Sequence, residues 1–130
     1  MNYSTAEGTQ GICPAGSHIP SDENWKTLEI YLGMSQGDAD LNEELRGTDQ
    51  GAQIISGGAS GLDFPSAGIR LDGPYSGEFS GEFSGVYAWS STHHYYRWAY
   101  ARWVMTLSSA KVFRWDPAVE VGLSVRCLGD

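Results

Sequence analysis

The sequence predicts an α+β domain, with one or two helices near the start followed by a twisted antiparallel sheet and Gly-rich loops. Three observations carry this. Helical periodicity is confined to the region before Gly57, and later apolar stretches are short and cut by Gly, Ser, Pro and Asp. Seventeen glycines in 130 residues imply many turns. That length suits one domain over residues 1–130 with a core of its own.

Ser21 is a predicted N-cap with Asp22 and Glu23 in the first turn. Trp25, Leu28, Tyr31 and Leu32 then recur on one helical face before Gly33 ends the run. A second, short helix is predicted through "DLNEELRG", with Leu41 and Leu45 four apart and Gly47 as terminator. Strands are expected at "AGIRL", "VYAWSST", "AYARWVMT", "KVFRW" and "GLSVRC". The doubled "SGEFSGEFSG" reads as a local duplication of one turn unit. Helices first and antiparallel strands afterwards give the α+β class.

The stretch "HHYYRWAYARWVMTL" fits no simple strand pattern. As a strand it puts Ala99, Ala101, Trp103, Met105 and Leu107 on one face and Tyr100, Arg102, Val104 and Thr106 on the other. Neither face is polar, and a doubly buried strand rarely carries Arg in its middle.

Net charge is −8, unevenly spread. Residues 1–88 hold thirteen acids against Lys26, Arg46 and Arg70, whereas residues 89–130 hold five bases against three acids. Such a balance argues against nucleic acid as a partner. No apolar run is long enough for membrane insertion, and Met1–Ser4 lacks the features of a signal peptide, so any export signal is expected to lie outside this chain. Cys13 and Cys127 either form a bridge in an oxidising compartment or stand as two separately buried thiols.

Catalytic and metal chemistry find little footing. His93 and His94 are adjacent and would face opposite ways on a strand, with His18 distant in sequence, so no metal site is expected. "DADLNEE" spaces oxygen ligands like a calcium loop but has Glu43 where the sharp turn needs Gly; a solvated helix start is the better reading. There is no serine on a strand-to-helix elbow, and carboxylates read as surface acids. The chain is expected to be non-enzymatic and without cofactors; a redox enzyme would need Cys13 or Cys127 exposed and reactive.

The strings "EGTQGICPAGSHIPSDENWKTLEIYLG", "SGLDFPSAGIRLDG", "YAWSST" and "GLSVRC", in this order, resemble the Fibrobacter succinogenes major paralogous domain over most of the chain. That resemblance implies a C-type lectin-like fold, although sugar-binding calcium motifs of the "EPN" and "QPD" type are absent. It also implies kinship with variable proteins of diversity-generating retroelements, prokaryotic or viral, in which one segment is rewritten on a fixed scaffold. Framework positions would be Ala99, Tyr100, Arg102, Val104, Val112, Arg114, Gly122, Ser124, Val125, Arg126 and Cys127.

Between them lies a variable segment, approximately 93–121. Its candidate ligand-binding residues are His93, His94, Tyr95, Tyr96, Arg97, Trp98, Ala101, Trp103, Met105, Phe113, Trp115, Asp116, Ala118 and Glu120. Interleaving of framework and variable residues would explain the mixed burial pattern. Arg102, Arg114 and Arg126 are expected to be at least half buried, and Trp103 and Trp115 to stand at the ligand surface, where Tyr, Trp and Arg make binding hot spots. The expected ligand is a protein on a cell or virus surface, with the domain surface-displayed or virion-associated; the alternative is a carbohydrate-binding module that stacks sugar rings.

Overall fold

The computed structural model describes residues 6–71, 78–80, 85–105 and 109–130. Along the chain run β1 (Ser17–His18), α1 (Asp22–Tyr31), α2 (Gln36–Asp40), β2 (Glu44–Arg46), α3 (Gln50–Ile54), β3 (Ile69–Arg70), β4 (Phe79–Ser80), β5 (Gly85–Tyr95), β6 (Trp98–Met105), β7 (Val112–Trp115) and β8 (Leu128–Gly129). The class is α+β. A four-stranded antiparallel sheet runs in the order β2-β7-β6-β5, and β1-β8 and β3-β4 form two smaller pairs. Most of "SGEFSGEFSG" lies outside the described residues.

Helix α1 begins where its capping signal stands. The Ser21 hydroxyl accepts from the Asn24 amide N–H at 3.1 Å, and the Asn24 side-chain oxygen accepts from the Ser21 N–H at 2.9 Å. This reciprocal pair satisfies two otherwise orphan donors. Gly33, at φ +101°, follows the helix in a conformation that only glycine adopts cheaply. The buried face, however, is Asp22, Trp25 and Glu29, while Tyr31 is exposed. Two acids thus point into the interior, contrary to the expectation of surface carboxylates.

Their partners come from three strands. Arg102 of β6 donates to Glu29 at 2.6 Å and to Asp22 at 2.7 Å. Arg114 of β7 grips Asp22 through Nε at 3.0 Å and Nη2 at 2.7 Å. Arg46 of β2 reaches Glu29 at 3.0 Å and the Ala39 carbonyl at 2.7 Å. A charge leaves water only when paired, and this network pairs each of the five charges, although Glu29 Oε2 and Arg46 Nε have no hydrogen-bond partner among the described residues. Beside it lies the apolar core, which includes Trp25, Met34, Ile54, Phe64, Val86, Ala88, Val104 and Val112.

The short helix expected through "DLNEELRG" is replaced by α2 upstream and β2 within it. Glu43 turns at φ +57°, its N–H donates to the Arg114 carbonyl at 2.8 Å, and Glu44–Arg46 then pairs with β7. A helix this short is marginal alone, so sheet pairing and the buried Arg46 ion pair override the local pattern. Helix α3 has no capping side chain and was not legible in sequence. It is fixed by packing, since a Cβ on Gly51 would lie 2.5 Å from the Lys111 carbonyl oxygen.

"GLSVRC" is not the continuous strand expected. Gly122 bridges Arg70, Ser124 bridges Ala88, and pairing resumes only at β8. Because this segment passes between two edges instead of joining one ladder, Arg126 is exposed, correcting the expectation of burial, whereas Arg102 and Arg114 are buried. Cys13 and Cys127 are bridged, with Cα atoms 5.7 Å apart, which ties the two ends of the chain together.

Candidate binding face

Alternation along β6 and β7 divides their side chains between two faces of the sheet. Arg102, Val104, Val112 and Arg114 turn inward to α1 and the core. Trp103, Met105, Phe113 and Trp115 turn the other way and are only half buried. Strand register aligns the outward set in a row, with Leu45 opposite Phe113, Phe113 opposite Trp103, and Trp103 opposite Tyr87.

The rings in this row touch. Trp103 stacks on Tyr87 with centroids 5.5 Å apart and meets Phe113 edge-on at 5.9 Å. Trp115 sits edge-on to Trp103 at 6.5 Å and to Tyr87 at 6.2 Å. Gly85 makes room for the stack, since a Cβ there would lie 2.7 Å from the Trp103 indole nitrogen and 2.9 Å from the Tyr87 ring. Trp103 and Trp115 therefore belong to a packed layer as well as to a surface, which corrects the expectation of freely displayed rings. Tyr87 lies buried beneath Trp103; burial pushes its phenol pKa up.

Ala101 is a sharper correction. It is fully buried between Trp89 of β5 and Trp115 of β7, and no ligand could touch its methyl group. His93, Met105 and Ala118 are half buried. The most exposed aromatic groups of the segment gather at the β5-β6 hairpin tip, where Tyr95 is 75 % exposed, Tyr96 87 % and Trp98 45 %.

Residues 116–121 are clamped against this tip. Ala99 donates to the Pro117 carbonyl, Val119 donates to the Arg97 carbonyl at 2.9 Å, and Trp98 bridges Ala118. Arg97 pairs with Glu120. The His94 ring Nδ1 lies 2.8 Å from Asp116, whose other oxygen accepts from Asn42 at 3.0 Å. His94 also stacks on Tyr100 at 4.8 Å, and the Arg114 guanidinium lies 3.9 Å from the Tyr100 ring centre. The two parts of the expected segment, 93–105 and 113–121, thus meet in space, joined by Asn42 and Leu45 from the stretch expected to be helical and by Tyr87 from the expected strand "VYAWSST".

Behind the face, the ion network fixes the strands. Burial by itself would raise the Asp22 carboxyl, but the Arg114 and Arg102 hydrogen bonds and charges outweigh it and hold the group below the usual carboxylate value. Burial likewise opposes the charge on Arg114, yet Asp22 raises its pKa above the ordinary value. Among the described residues there is no group of three or more His, Cys, Asp or Glu placed to hold a metal ion.

The Fibrobacter succinogenes major domain model matches residues 2–128. The chain belongs to that family. No curated protein and no solved structure matches it. Within this Fibrobacter succinogenes major domain, the described residues include no helix long and apolar enough to cross a membrane.

Proposed function

We propose that this domain binds a protein ligand, without catalysis, through the β5-β6 tip and the aromatic outer face of its sheet. One observation carries the reading. Along β6 and β7 the expected framework residues Arg102, Val104, Val112 and Arg114 turn inward to the arginine network and core, while Trp103, Met105, Phe113 and Trp115, expected to vary, turn outward; Ala99 and Ala101 share the outward parity but are buried. A scaffold that separates fixed from changeable positions in this way suits a variable protein of a diversity-generating retroelement. The paired ends of the chain and their disulfide suit the C-type lectin-like frame that the resemblance implies.

Protein is favoured over sugar by the shortage of free polar groups. A sugar site aligns side-chain donors and acceptors to hydroxyls around an aromatic ring, whereas Trp103 is surrounded by Tyr87, Phe113 and Trp115. At the rim, Arg97 is already held by Glu120 and His94 by Asp116. Tyr95, Tyr96 and Trp98 supply large rigid area at low entropic cost, as hot spots do. An interface of about 600 to 1,000 Å² per partner would span tip and face together.

The test compares wild type with a Tyr95→Ser, Tyr96→Ser, Trp98→Ser variant on a cell-surface protein pull-down and a glycan array. The reading expects a captured protein whose saturable binding is lost in the variant, at unchanged melting temperature. Specific glycan binding lost in the variant, with no protein captured, would overturn it in favour of a carbohydrate module. A near-copy of the coding region for residues 93–127, differing only at adenines beside a reverse transcriptase gene, would test the retroelement assignment separately.

A further inference from the structure

On the α1 side of the sheet, away from the aromatic face, a cavity of about 260 Å³ opens between α1 and the end of the chain. Its walls are apolar, built by Trp25 and Leu28 of α1, Leu62 and Leu128. Asn24 and Arg126 add its polar groups. Cys127 forms part of the wall, and its bridge to Cys13 anchors that wall to the start of the chain.

Arg126 is the odd member of the chain's arginines in this region. Arg46, Arg102 and Arg114 are each buried and bound to Asp22 or Glu29. Arg126 is exposed and has no carboxylate partner among the described residues. Asp130, close by in sequence, is taken by His18 at 2.6 Å. An unpaired guanidinium offers a planar fork of donors that matches a carboxylate. Set beside an apolar cavity, it makes a site with one charged end and one greasy end.

We propose that this cavity is a second binding site, which takes a small organic carboxylate by seating its apolar group against Trp25, Leu28 and Leu62 and its anion on Arg126. The occupant is held to be acidic because, among the described residues, the only charged group lining the site is a cation. The chain's net charge of −8 opposes anions at long range, so discrimination arises from contact with Arg126 and not from steering. The site is independent of the protein-binding reading, since it shares no residue with the tip or the aromatic face.

The experiment is a ¹H–¹⁵N NMR titration of the full chain with 3-phenylpropanoate and, separately, with its uncharged amide, read at the Trp25 indole N–H. The acid should give saturable shifts and bind about fivefold or more tightly than the amide, as a charge-assisted hydrogen bond at an exposed site warrants. Arg126→Gln, at an exposed position outside the core, should keep the remaining spectrum and bring acid and amide to equal affinity. Leu62→Trp should abolish binding of both probes by filling the cavity. Equal affinity of acid and amide for the wild type, an undiminished preference in Arg126→Gln, or the absence of saturable shifts would each overturn the proposal.

Discussion

Asp22→Asn tests whether the buried ion network holds the sheet to α1. In the wild type, three guanidinium groups, Arg46, Arg102 and Arg114, meet two carboxylates, Asp22 and Glu29, so the cluster carries one net positive charge. Asparagine is nearly isosteric but neutral, which raises the buried excess to two. Arg102 keeps Glu29 at 2.6 Å, while Arg114 is left with the Asp40 and Leu41 carbonyls at 3.4 and 3.3 Å and the Tyr100 ring.

Breaking one partner out of a buried pair costs about 3 to 5 kcal/mol. The asparagine oxygen retains one acceptor, so the lower end, about 3 kcal/mol, is expected. At this chain length that corresponds to a fall in melting temperature of roughly 9 to 15 °C. Urea denaturation at pH 7 gives the free energy directly. The pH dependence gives a second reading. The folded-state pKa of Asp22 lies below its unfolded value, so its contribution is complete above about pH 4 and is lost as pH falls through the folded value. Wild type should therefore lose more stability than Asp22→Asn between pH 5 and pH 2, in rough numbers. A loss below about 1 kcal/mol at pH 7, with parallel acid profiles, would refute the account.

Trp103→Ala should destabilise by about 2 to 3 kcal/mol in the same denaturation assay, less than a fully buried tryptophan but well above a surface change, because the ring is stacked on Tyr87. Gly85→Ala should cost about 1 to 3 kcal/mol, because its methyl group would press on Trp103 and Tyr87; a Gly85→Ala, Trp103→Ala double variant should show that cost relieved. Replacing Cys13 and Cys127 by serine should cost about 5 kcal/mol on the loop-entropy account, since the bridge joins residues 114 apart in sequence, and an unchanged melting temperature would contradict it.

How far the sequence speaks for itself depends on the range of the interaction concerned. Helix α1 was legible because its Ser21 N-cap, its first-turn acids and its terminating Gly33 act within a few residues. The strands β5, β6 and β7 were legible from β-branched and aromatic content, and the mixed pattern of β6, which fits no simple strand, arises because one face meets the arginine network and the other an aromatic layer. The family likewise followed from ordered strings covering most of the chain. What sequence could not decide depends on contacts between distant residues. Asp22 reads locally as a helix-start acid, yet Arg102 and Arg114, 80 and 92 residues away, turn it into an interior anchor. "DLNEELRG" reads as a helix until β7 offers Glu44–Arg46 a ladder. Ala101 and Trp103 have the same parity on one strand, but Trp89 and Trp115 close over the first while the second keeps part of its ring in solvent. Whether the cysteines join, and whether an arginine is buried or free, are likewise set by which segments the fold brings together, because local propensity governs only the first few neighbours, whereas burial and pairing belong to the whole chain.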